Sequence, residues 1–410
     1  MFRGWWIVAT VFTAQLFMVG FFSYGYPLLV VAVEKEFDCG MEAISYALIG
    51  PTMLGLVLPL FIGPLVDRWS VRGLMMIGVG LLAAGLLALS WAPNVTAFVI
   101  GMSLLIGSAN NLLGPIVGSA VVSRWFSASR GRALGIAAIG TSIGGILMPP
   151  LLGYGFESIG WRGSLRVMAA AVVCGVLPLL VFALRNHPSE LGLRAEGSKA
   201  GSDLASSGPA LVTSSAEIYR QPAFWAVSAC LAIFLGCYSG VLGNVAKFAS
   251  DLGADGTARA WMMSTLAFSG LMGKLVFGHL ADRMPLKVGL WTAIGLTMVS
   301  VALMTSEPEF PLLLVAVAVM GLAAGGILPV WGALMAAIFG VANVGRSMGL
   351  QAPIISLGVM PAYWAAGRIH GATGSFVLAF QIFVGALCIA ALILITLRMP
   401  VRTESGAVRA

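Results

Sequence analysis

Long apolar runs, separated by short polar segments, follow one another from one end of the chain to the other. Those long enough to cross about 30 Å of hydrocarbon as helices have approximate limits of 5–33, 42–66, 73–91, 95–122, 132–156, 163–184, 222–246, 258–281, 288–305, 311–339, 346–368 and 375–397. One connection is long, from Arg185 to Gln221, and its serine, alanine and glycine are typical of a flexible linker. The pattern predicts an all-α polytopic membrane protein with twelve transmembrane helices in two six-helix bundles, over residues 1–185 and 222–410, joined by a cytoplasmic linker at 186–221.

The composition excludes a soluble protein. Apolar types make up 59% of the 410 residues and charged types only 10%, whereas about a quarter of a soluble domain is charged. The net charge of +7 does not indicate nucleic-acid binding, because no stretch concentrates lysine and arginine among aromatic residues. The cysteines and histidines show neither CxxC nor metal-ligand spacing, so we expect no metal site and no cofactor.

The lysines and arginines predict how the spans are oriented. With the N-terminus inside, sixteen of them fall in the inner loops and tails and six at the outer ends, while Lys274 lies within a span. Since cytoplasmic loops carry the excess of positive charge, both termini and the linker are predicted to face the cytoplasm.

The two halves of the chain repeat one another. The segment GPLVDR follows the second span and GHLADR follows the eighth, at an offset of 215 positions. The pairs at an offset of 214 are Gly131–Gly135 with Gly345–Gly349, Gly144 with Gly358, and Gly153 with Gly367. Two six-helix repeats related by an axis along the membrane normal are a transporter plan, so the two bundles are predicted to be pseudo-symmetric.

Both repeated segments resemble the G-x-L-x-D-R loop of the major facilitator superfamily. Shorter segments resemble its monocarboxylate-porter and oxalate:formate-antiporter branch, namely Arg3–Trp6, Arg124–Phe126, Arg130–Arg132, Gly160–Arg162 and Pro188–Leu193. The resemblance implies the fold of that superfamily and a secondary transporter that works by alternating access.

Lys274 is the first candidate for substrate binding. It lies eight residues before Asp282, about 12 Å from the end of its span, where a cation costs several kcal/mol unless it faces water or a partner. The resembling branch usually has an arginine here that binds the substrate carboxylate, and the resemblance implies the same role for Lys274. The alternative is a structural cation that bridges helices or snorkels. Because no span carries Asp or Glu near its middle, and the interiors of spans one and eleven carry no basic residue, a monoanion fits better than a dianion such as oxalate.

Uncharged polar residues within the spans form a second group of candidates. Each could donate to a carboxylate, line an apolar wall, or make an interhelical hydrogen bond instead. They are Asn110, Asn111, Tyr24, Asn244, Trp331, Gln351 and Gln15. Asn110 and Asn111 are adjacent and point about 100° apart, so at most one faces a cavity squarely. Gly140, Gly144 and Gly145 are expected to allow close helix packing.

Asp67 and Asp282 are candidates for gating. Each is expected near the first turn of the pseudo-symmetric partner's span, where a carboxylate meets free amides and the positive end of the helix dipole. The basic residues of the same loops and turns are Arg68, Arg283, Arg132 and Arg346. The alternative is that these loops act only as topology signals.

Together these features predict a bacterial inner-membrane transporter of a small organic monocarboxylate, with proton-coupled symport. Its partners are the organic anion, the proton and membrane lipids; we expect a monomer that binds no nucleic acid. Carboxylate exchange and drug export remain alternatives, although the acidic residue that exporters often have in an early span is absent. A sensor would need a signalling domain for which linker and tail leave no room. An enzyme would need a catalytic pair within the spans, and none is present.

Overall fold

The structure is a computed structural model that describes residues 3–126, 129–193, 214–281, 285–339 and 343–396. Within these ranges every regular element is helical, which confirms the predicted all-α class. The α-helices are α1 (Gly4–Val19), α2 (Tyr26–Phe37), α3 (Met41–Arg68), α4 (Val71–Ser90), α5 (Val95–Gly101), α6 (Gly107–Leu113), α7 (Pro115–Trp125), α8 (Arg130–Pro178), α9 (Ser215–Arg220), α10 (Pro222–Asp251), α11 (Gly256–Ala281), α12 (Leu286–Met304), α13 (Phe310–Phe339), α14 (Val344–Thr373) and α15 (Val377–Thr396). Wider π-helical turns at Gly20–Gly25, Met102–Ile106 and Leu179–Ala183 continue α1, α5 and α8.

Ten helical stretches in the described part of the chain are long and apolar enough to cross a membrane. One of them, Gly131–Ala183, holds two of the predicted spans. These spans are separated at Gly160, whose φ of 72° and ψ of 162° suit glycine and break the helical path. With α8 divided there, and with the more polar α14 included, the described helices account for the twelve predicted spans.

The chain divides into two compact units. The first unit comprises Met1–Ser206 with Leu242–Phe268, and the second unit comprises Ser207–Val241 with Ser269–Ala410. The predicted bundle boundaries on either side of 186–221 stay a prediction.

Local chemistry sets several helix ends. Ser70 caps α4 by accepting a hydrogen bond from the Gly73 amide (3.2 Å), and Asn94 caps α5 by accepting from the Ala97 amide (2.9 Å). Between α6 and α7, Gly114 is extended and Pro115 begins the new helix, because proline has no amide hydrogen to continue the old one. Ser70 and Asn94 thus mark where two apolar stretches begin, and Gly114 and Pro115 break the helix inside the stretch Val95–Trp125.

Glycines hold the long helices close together inside each unit. In the first unit, a Cβ at Gly140 or Gly144 of α8 would collide with the α1 carbonyls of Phe12 and Leu16. In the second unit, a Cβ at Gly358 of α14 would meet the backbone of Ala232 on α10. Such small-residue contacts let helix backbones approach in a membrane. Gly144 and Gly358, which the sequence repeat relates, therefore pack in the same way.

Candidate functional site

Lys274 lies on α11, directly after a glycine at which this helix packs against α13. A Cβ at Gly273 would collide with the Leu322 carbonyl of α13, so this face of α11 lies directly against α13. The next residue of a helix points about 100° further round, and Lys274 is only partly buried. Lys274 therefore lies next to the face that packs against α13, within the membrane-spanning stretch Gly256–His279.

Trp331 of α13 and Gln351 of α14 are brought together in the second unit. The Trp331 Nε1–H donates to Gln351 Oε1 at 2.7 Å, and Gln351 is fully buried. This hydrogen bond fixes the orientation of the amide, and Gln351 Nε2 has no acceptor among the described residues. A buried donor without a partner costs about 1–3 kcal/mol, so an acceptor supplied by a ligand would relieve a real cost.

The candidates of the first unit lie on several helices. Gln15 is buried on α1, where its amide lies close to Gly118 of α7 and its Oε1 has no donor among the described residues. Tyr24 lies in the π-helical turn after α1, and a Cβ at Gly145 would come within 2.7 Å of its ring. As expected, Gly145 permits this close approach.

The neighbouring asparagines behave differently from one another. Asn111 Nδ2 donates to the Gly107 carbonyl one turn earlier, at 2.9 Å, so part of its donor capacity is used within the helix. Asn110 is partly buried beside it, and Asn244 is buried on α10. Of this adjacent pair, Asn110 is therefore the stronger candidate for substrate binding.

The gating candidates are only partly visible. Asp67 and Arg68 are the last residues of α3, but their side chains, like Asp282 and Arg283 as a whole, lie outside the described residues. The Arg132 guanidinium lies 5.9 Å from the Trp5 ring centroid, a cation–π contact. Arg346 is exposed in the first turn of α14. The gating role stays a prediction.

A charged cluster that the sequence analysis does not predict lies in the first unit, at the ends of α2 and α10. Lys247 Nζ is 2.6 Å from Glu34 and 3.0 Å from Asp251. The cluster borders a polar cavity of about 490 Å³. Nearby, burial first and then the Glu34 carboxylate raise the pKa of the Cys39 thiol. Lys247 and Asp251 have the i,i+4 spacing of a helical ion pair, whereas Glu34 is too distant in sequence for any pattern to reveal it.

Comparison with known proteins decides the family. The model of the Major Facilitator Superfamily matches residues 11–248 and 237–410, most of the chain. The chain belongs to the major facilitator superfamily. This family consists of transporters rather than enzymes, so the protein is a multi-pass membrane transporter.

Two relatives indicate the branch of the superfamily that this chain resembles. The chain is 28% identical to human monocarboxylate transporter 11 over 401 residues, 92% of this chain and 79% of the relative. It is 28% identical to rat monocarboxylate transporter 13 over 405 residues, 96% of this chain and 89% of the relative. These matches confirm the resemblance to the monocarboxylate-porter branch.

The solved structures support the superfamily fold. A bacterial homologue of the human lysosomal transporter Spinster, inward-facing and occupied, superposes with a TM-score of 0.71, 16% identity and 96% coverage of both chains. The nucleoside transporter NupG gives 0.74 with 14% identity, over 96% of this chain and 99% of that one. At such identities the similarity concerns the fold alone.

Proposed function

We propose that the protein is a secondary transporter of small organic monocarboxylates, and that Lys274 binds the carboxylate. The observation that carries the proposal is a partly buried lysine inside a membrane-spanning helix, next to a glycine that packs against α13. Intramembrane charges mark substrate or ion pathways by default. Relatives along nearly the whole chain are named monocarboxylate transporters, which supports an organic anion as the substrate.

Charge and polarity favour a substrate with one carboxylate. Lys274 is the one lysine or arginine that the sequence places well inside a predicted span. Gln351 adds a buried amide donor, fixed in orientation by Trp331. A single cation with neutral donors neutralises one carboxylate, and a dianion would bring an uncompensated charge into a medium of low dielectric constant.

Proton-coupled symport by alternating access is the transport mode we propose, with both termini in the cytoplasm of a bacterium. Lysine can release a proton when it is moved from water into an apolar setting. Binding of a carboxylate favours its protonated form, and departure of the anion favours release. Carboxylate exchange without a proton is the competing mode.

The test is the substitution Lys274→Gln, which keeps length and polarity but removes the charge. Truncating one partner of a buried charge pair costs about 2–5 kcal/mol, so saturable binding of labelled monocarboxylates by the detergent-purified protein should disappear. The control is Lys287→Gln at the start of α12, where the ammonium donates to the Ile395 carbonyl at a helix end, and binding should be unchanged. Wild-type affinity in Lys274→Gln, with both variants folded, would refute the assignment.

A further inference from the structure

An open cavity of about 430 Å³ lies in the first unit at the end that carries the start of α1. The end of α7 and the π-helical turn Leu179–Ala183 complete its wall. Its lining includes two arginines and three aromatic side chains: Arg3, Arg185, Trp6, Trp125 and Phe182. This cavity does not include any residue proposed above for transport.

Positive charge is concentrated beside this cavity. Arg72 Nη2 donates to the Val181 carbonyl at 2.8 Å, and Arg185 Nη1 donates to the same carbonyl at 3.3 Å. Two guanidinium groups thus share one acceptor at the end of a helix, where backbone carbonyls lack intrahelical partners. Across the described ranges, none of the ion pairs involves Arg3, Arg72 or Arg185. Like charges with no carboxylate paired to them among the described side chains favour an anion from outside the chain.

The aromatic side chains of the wall indicate which anion. Trp6 is 55% exposed and Phe182 is 80% exposed. Both lie at the ends of membrane-spanning stretches, Gly4–Phe37 and Gly131–Ala183, where aromatic residues meet the headgroup level of a bilayer. Such an apolar surface would not stabilise a small water-soluble anion. A lipid, in contrast, has an anionic headgroup next to its acyl chains and could contact both the arginines and the aromatic side chains.

We propose that this cavity binds an anionic phospholipid of the leaflet at this end of the protein. The phosphate lies between the Arg3 and Arg185 guanidinium groups, and the acyl chains run along Trp6 and Phe182. Basic pockets between membrane helices are suited to anionic headgroups. The proposal involves the first unit alone and is independent of the transport proposal.

The experiment measures binding of phosphatidylglycerol and phosphatidylcholine to the full-length protein in detergent by native mass spectrometry. Each basic residue near an anionic lipid surface contributes about a fivefold change in affinity. The double variant Arg3→Gln with Arg185→Gln should therefore bind phosphatidylglycerol about 25-fold more weakly than wild type. The matched control, Arg220→Gln with Lys287→Gln, also loses two positive charges and should bind within about twofold of wild type.

Two further measurements distinguish lipid binding from binding of another anion and from a loss of folding in the variant. Trp6→Ala with Phe182→Ala keeps both arginines and should still weaken phosphatidylglycerol binding severalfold, and this variant decides the question if the arginine variant does not fold. Inorganic phosphate should fail to displace the lipid. Displacement by phosphate would assign the cavity to a free anion, and equal binding of phosphatidylcholine, or wild-type affinity in either folded variant, would overturn the proposal.

Discussion

A few buried polar side chains of this structure have an atom without a hydrogen-bond partner among the described residues. Gln351 is fully buried and uses its oxygen for Trp331, yet its amide nitrogen has no acceptor among the described residues. Most buried donors in native structures are satisfied. A buried donor that one hydrogen bond holds in place, and that has no acceptor among the described residues, would be satisfied by an oxygen of a ligand.

Removing either side of this pair tests that interpretation. Trp331→Phe deletes the donor that orients the amide, and Gln351→Leu deletes the amide itself, so each variant should weaken monocarboxylate binding. Because the tryptophan acts through the glutamine, the double variant should bind no more weakly than Gln351→Leu alone. The measurement is a double-mutant cycle on the dissociation constant, and strictly additive effects would show that the two residues act independently.

Sequence position predicted which polar residues lie inside spans, but it did not predict their partners. Lys274 and Gln351 were identifiable because a polar residue within an apolar run is conspicuous. The Trp331–Gln351 hydrogen bond and the Glu34–Lys247 ion pair depend on how separate helices are placed. No local pattern encodes that placement, since neither pair has helical spacing.

At the scale of helices, the repeat and the packing agree. Gly144 and Gly358 are 214 positions apart in the sequence, and each lies against the backbone of a neighbouring helix within its own unit. Gly135 and Gly349 keep the same offset, but a Cβ at either would meet no described atom within 4 Å. Each half thus supplies one glycine required for packing and one that is not.

These four glycines provide a matched comparison. Gly144→Ala and Gly358→Ala force a methyl group against backbone, and overpacking of this kind costs about 1–3 kcal/mol. Gly135→Ala and Gly349→Ala lie in open helix positions, where alanine is favoured over glycine by up to about 1 kcal/mol. Thermal unfolding in detergent should show lower midpoints for the first pair and unchanged or higher midpoints for the second; the same shift in all four would remove the packing argument.

The number of membrane-spanning helices could be predicted from the lengths of the apolar runs, whereas the irregular turns within the helices could not. The interruption between the spans 132–156 and 163–184 is predicted from the short polar segment that separates two apolar runs, and the structure places it at Gly160. The π-helical turns, such as Gly20–Gly25, were not predicted. They insert a wider turn into an α-helix without any mark in the composition of the chain.

At the scale of the whole molecule, composition and the repeated loop were enough to predict the class and the family. The 10% of charged residues leaves few side chains with which to build function. The proposed proton coupling would use one of those few, and Lys274 is the lysine or arginine that the sequence places well inside a predicted span. Its identity as lysine rather than arginine is what a proton-coupled cycle requires, because arginine stays protonated in proteins.

The cycle makes a specific prediction for Lys274→Arg. With lysine, the empty site can be neutral and the loaded site pairs one ammonium with one carboxylate, so both forms cross without moving net charge. With arginine, the loaded form still crosses, but the empty form retains a charge that is costly inside the bilayer. The variant should therefore keep exchange of labelled for unlabelled substrate and lose net uptake linked to protons.

Liposomes that contain a pH indicator separate these two activities. An inward substrate gradient should acidify the lumen with wild-type protein and with the control Lys287→Arg, but not with Lys274→Arg, while all three should exchange labelled substrate. Acidification at the wild-type rate by Lys274→Arg would mean that another group carries the proton. The Glu34 carboxylate beside Lys247 would then be the next residue to neutralise, since it is an acidic group paired across helices within the first unit. Loss of exchange as well would show instead that the guanidinium does not fit the carboxylate, and the arginine substitution would then contradict the proposed cycle at its loaded step.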